Sequence, residues 1–502
     1  MRKILLSLVL GLLVSSANAG RYKTHQMRDG SVLCFERHEL TTPLGSVPKE
    51  PWEPNRVYRV PVILFSFADC DFSCEDPKVF YDRMFNEQGY NLGEGPGCVA
   101  DYFRDQSRGL FNIQFDIIGP VKLSSNQKLT GGGHNNGRSQ AAEAVEAVDS
   151  EVNFADYDWN GDGRVNTVIF IYAGYGGKET AAAVKGCIHP TTGSLSLGRK
   201  VDGVTLSLYS ACNEIWSNNK SSGIGTICHE YCHTFGIPDF YPTAGNEFSV
   251  LDEWDLMDGG CYAGDGWCPV NLSIHERELL KWQSPVDLTV STDIIDMPPF
   301  DESGVAYRIV NEAYTSEYYL LENRQQTGWD LMLPGHGLLI SYVDYNKSAW
   351  SSVTVNNNPD HHRFDYFHAD GLDFNYFESV YGRANKRTED GRSIRLRYTA
   401  YPYTDAEGVV HDALTDTTSP AATLYHARSD GSKFMGKPIT QIQETDGLIS
   451  FHFSDTPDAI TPISSDATPV AIYDLQGHLI TNPSRGIYIV RYSDGTIRKV
   501  FR

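Results

Sequence analysis

Long apolar runs are scarce in this sequence. The clearest, Ile4 to Val14, follows Arg2 and Lys3, and it is too short for a permanent span, which needs roughly 20 apolar residues. It leads into Ala17-Asn18-Ala19, a small-residue cleavage pattern, so residues 1–19 read as a secretory signal peptide. No other run approaches that length, which excludes an integral membrane segment in the mature chain. Positive charge is also in deficit. Lys and Arg number 42 against 64 Asp and Glu, a net charge of −22. Such a surface repels phosphate backbones and anionic lipids, which argues against nucleic-acid and membrane-surface partners.

Apolar content is not lacking. The 502 residues are 41% hydrophobic, enough for real cores, and ~150 residues per domain suggests two to four domains. Ten cysteines in an exported chain imply disulfides, because the compartment is oxidising. Cys70 with Cys74, and Cys261 with Cys268, could each close a small loop.

One stretch carries chemistry: Cys228-His229-Glu230-Tyr231-Cys232-His233-Thr234-Phe235-Gly236-Ile237-Pro238-Asp239. If it is helical through Thr234, His229 and His233 lie one above the other on one face, where two imidazoles can share a metal ion. Zinc takes nitrogen ligands at about 2.0–2.1 Å, and a catalytic site uses three protein ligands plus a water. Glu230 is placed beside that water. Gly236 can adopt φ > 0 and turn the chain back, Pro238 forbids resumption of the helix, and Asp239 then comes within reach of the same ion. Cys228 and Cys232 each precede a histidine, which rotates them about 100° from the histidine face and gives them packing or disulfide roles.

The rest of the chain organises around this stretch. Residues 20–59 are polar and Pro-containing, a pro-segment or strap, in which Cys34 could serve as a zinc-blocking thiolate or as a disulfide partner. Strand-like Val60–Phe67 and Leu110–Phe115 alternate with helix-like Val99–Arg108 and Ser139–Val148, an α/β layer arrangement. The segment Asp158-Trp159-Asn160-Gly161-Asp162-Gly163-Arg164-Val165-Asn166 matches the first nine positions of a calcium loop. Its oxygen ligands would come from Asp158, Asn160, Asp162, Arg164 and Asn166. Position twelve is Ile169 rather than Glu, so another carboxylate is required, with Asp156 the candidate. Met257 sits in the polar turn Glu253–Gly260, where a thioether gives a metal site a soft apolar floor. Asn271–Trp282 reads as a helix closing a domain that spans 60–283.

From 284 to 455 the pattern changes to short strands between Gly, Pro, Asn and Asp turns, an all-β, sandwich-like domain. Trp329, Trp350 and the Asp365–Tyr376 aromatics are either its core or a carbohydrate- or protein-binding face. Residues 456–469 have linker composition, and 470–502 form a small β module.

With these residues in hand, the chain resembles the immune inhibitor A family of secreted bacterial metallopeptidases. The resemblance rests on His229-Glu230-x-x-His233-x-x-Gly236-x-x-Asp239, Trp254-Asp255-Leu256-Met257 and Asp101-Tyr102-Phe103-Arg104-Asp105-Gln106-Ser107. It extends to Leu321-Glu322-Asn323-Arg324-Gln325 and Leu333-Pro334-Gly335-His336-Gly337-Leu338. It implies a metzincin-like catalytic part of an α+β protein, zinc on His229, His233 and Asp239, and Glu230 as base. A transition-state donor is less evident, and Tyr262, five residues after Met257, is the candidate. The tail is similar to type IX secretion sorting modules. That implies export by a Gram-negative bacterium to the cell surface or medium, with the type IX machinery as a partner. The expected activity is zinc endopeptidase action on extracellular proteins. Two rivals stand beside it: a thermolysin-like site with Glu253 as third ligand, and a surface adhesin with a vestigial zinc site.

Overall fold

The structure is a computed structural model. It describes residues 22–27, 31–36, 44–129, 135–179, 181–244, 250–372, 388, 392, 394, 396–456, 469–473, 478–480, 487–492 and 497–501. The signal peptide expected at 1–19 and most of the linker expected at 456–469 lie outside the described residues.

The chain is of mixed α and β structure. It begins with an antiparallel pair, β1 (Tyr22–Gln26) and β2 (Val32–Glu36). Cys34 falls in β2, and its side chain is outside the described set. Then come β3 (Val57–Ser66), α1 (Pro77–Asn86), α2 (Val99–Gln106), β4 (Asn112–Lys122) and α3 (Arg138–Val148). They are followed by β5 (Arg164–Val165), β6 (Val168–Tyr175), β7 (Thr191–Ser194), β8 (Thr205–Leu206), β9 (Leu208–Ile215), α4 (Gly225–His233) and α5 (Ile274–Leu279).

Five of these strands make one sheet in the order β4-β3-β6-β9-β7, parallel except for β7 at the edge. Strands of a parallel sheet are covered on both faces, so β3 and β6 read as continuous apolar runs rather than alternating ones. Alternation still sorts the side chains. Val62 and Leu64 join a core with α1, α2 and α4, whereas Ile63 and Phe65 join a second core under α3. The metal-motif helix α4 therefore lies on the first face, and all nine of its residues are buried.

The remainder is rich in strands: β10 (Val286–Asp287), β11 (Thr292–Met297), α6 (Phe300–Ser303), β12 (Ala306–Val310), β13 (Glu317–Arg324), β14 (Gly337–Asp344), α7 (Lys347–Ser351) and β15 (Phe364–Tyr366). Next are the short pair β16 (Tyr403–Thr404) and β17 (Val410–His411), then β18 (Ile439–Thr445) and β19 (Leu448–Phe453). A sheet of order β10-β12-β13-β14-β15 faces a three-stranded sheet β11-β19-β18 across a shared core. Its other face packs on the helices of the first part. In β13, Tyr319 and Leu321 point to the small sheet, while Tyr318 and Leu320 enter the core that also holds Met257 and Tyr231. The hydrophobic core thus runs straight through residue 283. At the tail, β20 (Pro469–Tyr473), β21 (Ile487–Tyr492) and β22 (Ile497–Phe501) form a three-stranded antiparallel sheet.

The strap before β3 is built into the core. Trp52 packs against Tyr58, Phe111, Trp159, Phe235 and Trp282, and its indole N–H donates to the Leu280 carbonyl at 2.7 Å. Gly45 crosses the end of α4 with its N–H on the His233 carbonyl at 2.9 Å. A Cβ there would stand 1.6 Å from the Thr234 carbonyl oxygen, so only glycine permits the crossing.

One expectation is corrected: no disulfide forms among the nine described cysteines. The Cys70 and Cys261 thiols instead contact the Asp71 and Asp258 carbonyls at 3.8 and 3.7 Å, and Cys268 contacts that of Trp329 at 3.5 Å. Of the two readings offered for Trp329 and Trp350, the core is what the structure shows: both are buried, the first edge-on against Tyr102 and the second against Tyr345 and His275. Residues 373–376 of the aromatic segment lie outside the described residues.

Candidate metal centre

Helix α4 is pressed against the segment that follows the methionine turn. A Cβ on Gly225 would meet the Cys261 carbonyl oxygen at 1.8 Å, so a glycine at the helix start sets how closely the two segments approach. The helix ends at His233. Gly236 takes φ of 89°, its N–H returning to the His233 carbonyl at 3.0 Å, and the chain turns back toward the face it has just left.

That turn brings Asp239 to the two histidines. His229 Nε2 and His233 Nε2 lie 3.1 and 3.5 Å from Asp239 Oδ1, and the three candidate ligand atoms all fall within 4.8 Å of one another. Each imidazole is held from behind. Nδ1 of His229 lies 2.9 Å from the Leu256 carbonyl, and Nδ1 of His233 lies 2.7 Å from that of Ile237. A carbonyl can only accept, so each Nδ1 carries the proton and each Nε2 presents a lone pair inward. Both carboxylate oxygens of Asp239, 1% exposed, are buried without a hydrogen-bond partner. Two nitrogen lone pairs and an uncompensated carboxylate around one point fit a divalent cation.

Burial would raise the Asp239 carboxyl, yet His233 and His229 hold it well below the usual carboxylate range. Burial would likewise depress His229, and Asp239 and Cys261 beside it push it well above the ordinary imidazole value instead, so a proton on Nε2 competes with a cation for the place between the imidazole and the carboxylate. Among the described residues this is the one group of three His, Cys, Asp or Glu side chains gathered so closely. Glu253, the rival third ligand, is buried in the turn Asp252–Trp254 and is not in the group.

Glu230 is 3% exposed, and the Thr192 hydroxyl of β7 lies 2.5 Å from its carbonyl oxygen and 3.3 Å from its Oε2. The methionine turn touches the cluster through its backbone: Leu256 holds His229, and the Met257 carbonyl accepts the Phe240 N–H at 3.0 Å, next to Asp239. Met257 is itself fully buried.

Tyr262 is 5% exposed, with its ring 6.1 Å from Trp216. Burial, and then Cys261, Glu230 and Asp239, push its phenol well above 10. Tyr241 was not singled out from the sequence. Its phenol is raised by burial and by its neighbours Asp239, Tyr262 and Glu230. Its position two residues beyond Asp239 was the signal available. Thr192 offered none, being 38 residues from Glu230 in sequence.

The candidate calcium loop closes on itself. Asp158 Oδ1 accepts from Asp162 N at 3.2 Å, Asp158 Oδ2 accepts from Gly163 N at 2.8 Å, and Asn166 Oδ1 lies 3.4 Å from Trp159 N. Ile169 is buried in β6, and Asp156 pairs with Arg59 at 3.6 Å.

Residues 205–284 match the family model described as immune inhibitor A peptidase M6, catalytic domain. The matched segment contains His229, Glu230, His233, Asp239 and Met257, so over it the chain is similar to a metallopeptidase catalytic domain. No curated protein matches the chain. Among the described residues, no helix is long and apolar enough to cross a membrane.

Proposed function

We propose that this chain is a secreted zinc-dependent endopeptidase, with His229, His233 and Asp239 holding the metal and Glu230 as general base. The observation that carries the reading is the pair of unpartnered Asp239 oxygens facing two imidazoles whose other nitrogens are locked. Zinc held there supplies Lewis acidity, which eases proton loss from an attacking water and polarises the scissile carbonyl. Glu230 takes that proton and delivers it to the leaving amine. Thr192 holds the Glu230 carboxylate toward β7. That strand is hydrogen-bonded to β9 on one side, and an extended substrate adds along its other edge as a further strand, carrying its carbonyl past Glu230. The Tyr262 and Tyr241 phenols stay protonated at neutral pH, so either can donate a hydrogen bond to the developing oxyanion.

Around this centre the proposed organisation is a signal peptide at 1–19, a strap at 20–59, a metzincin-like catalytic region at 60–283, a β-rich region at 284–455, a linker at 456–469 and a sorting module at 470–502. The tail would engage a type IX export machinery and place the enzyme at the surface of a Gram-negative cell or in its medium. Calcium in the loop held by Asp158, Asn160, Asp162, Arg164 and Asn166 would serve structure only.

Glu230→Gln tests the reading. The variant keeps its zinc and loses casein hydrolysis by roughly 10²–10⁴-fold, the usual weight of a general base. Undiminished cleavage would refute the assignment.

A further inference from the structure

We propose that Asn356 and Asn357, on the loop between α7 and β15, are positioning residues for the metal-ligand segment that starts at Asp239; this rests on the reading of Asp239 as a ligand. The Gly236 turn fixes Asp239 from its N-terminal side only. On the C-terminal side Met257 holds the Phe240 N–H, and the rest of the fixing comes from over a hundred residues further along the chain.

Asn356 is fully buried, and its amide donates to the Phe240 carbonyl at 2.8 Å and to the Phe364 carbonyl at 2.8 Å. Its oxygen accepts from the N–H groups of Arg363 at 2.9 Å and Phe364 at 3.1 Å. All four hydrogen-bonding positions of one amide are thus used, which leaves it a single orientation. With the Phe240 N–H already on the Met257 carbonyl, both backbone groups of the residue after Asp239 are tied. The Phe240 ring is clamped as well, 4.8 Å from Phe364 and 6.3 Å from Trp350.

Asn357 holds the next residues. Its oxygen accepts from Thr243 N at 2.7 Å and Ala244 N at 3.3 Å, and its amide donates to the Thr243 hydroxyl at 3.0 Å. That hydroxyl donates to the Val353 carbonyl at 2.7 Å. Val353 has φ of 54°, a left-handed conformation that a β-branched residue adopts only when its surroundings impose it. The loop is therefore held in one shape, and it passes that shape to the segment bearing Asp239. A carboxylate ligand so oriented binds its ion without first being ordered.

The test compares zinc affinity, by competition with a chromophoric chelator, for the full chain and three variants. Asp239→Ala should lose tight binding. Asn356→Ala should bind zinc about 10–100-fold more weakly, the usual cost of removing a group that orients a ligand. Asn357→Ala should weaken it by less. Melting of the metal-free proteins reports folding separately, because a merely structural role lowers that midpoint without changing the affinity of the folded fraction. If wild type binds and Asp239→Ala does not, yet both asparagine variants bind as wild type does, the positioning role is overturned and the ligand reading stands. Should Asn356→Ala fail to fold, Asn357→Ala decides. If wild type binds no zinc, or Asp239→Ala binds it fully, the reading beneath the inference falls.

Discussion

Below the methionine turn lies a buried excess of negative charge. Asp255, Glu276, Glu322 and Asp330 are all 0–1% exposed, and the two buried guanidiniums among them are Arg324 and Arg277. Arg324 is committed to Asp330 at 2.6 and 2.7 Å and to Glu322 at 3.1 Å, and Arg277 to Gln106 and Asn271 at 3.0 Å each. Asp255 Oδ2 and Glu276 Oε1 are left without partners. Burial, followed by Glu276 and with a further contribution from Asp258, pushes the Asp255 carboxyl well above the usual range. Burial and Glu322 push Glu276 up to about 7 against Ser273 and Arg324. The two titrate as a pair that keeps a proton the unfolded chain has already released. The folded state then binds the extra proton between the unfolded carboxylate value, ~4.3, and about 7, so stability falls as pH rises through that window. The slope is about 1.4 kcal/mol per pH unit for each proton held. Glu276→Gln removes the Glu276 share of this dependence and leaves the part that burial imposes on Asp255. In the wild type Glu276 Oε2 accepts from Ser273 N and Oγ at 2.6 and 2.9 Å; the variant's amide oxygen can take over both, and its NH₂ can donate to Asp255. Urea melts followed by tryptophan fluorescence from pH 5 to 8.5 should find Glu276→Gln close to wild type at pH 5 and more stable by about 1–3 kcal/mol at pH 8. Parallel curves for the two proteins across that range would refute the shared-proton account.

Three further outcomes follow from the same packing. Trp52→Ala empties the centre of an aromatic cluster and orphans the Leu280 carbonyl, which should cost about 3–5 kcal/mol in a urea melt; a loss under 1 kcal/mol would mean the strap is not part of the core. Thr192→Val removes the hydroxyl beside Glu230 and should lower kcat about tenfold on a peptide substrate with zinc content unchanged, the scale of one hydrogen bond to a charged group. Asp158→Ala should abolish any calcium-induced rise in melting temperature; an equal rise in wild type and variant would remove calcium from this loop.

Legibility followed the distance over which each feature is built. The histidine pair could be read from four-residue spacing on a helix, and Asp239 from a glycine that reverses the chain three residues earlier, because both are local geometry. The strand β3 was legible as an unbroken apolar run. Thr192, Asn356, Asn357 and the Asp255–Glu276 pair had no local signature, since each acts through a contact made across the fold.

Cysteine count and export suggested disulfides, an inference that weighs composition without knowing what packs on what. In the five-stranded sheet that starts at β10, β13 is buried along its whole length between the small sheet and the helices of the first part. That face of β13 is a wall of the core around the candidate site. The same wall carries Glu322 and Arg324 beneath the methionine turn and leads into the loop of Asn356, so it supports the metal centre at two separate points. The residues after 283 are thus part of what holds the candidate site, and cutting the chain there would remove the Asn356 hydrogen bond to the Phe240 carbonyl together with the Glu322 carboxylate that accepts from Ile274 N.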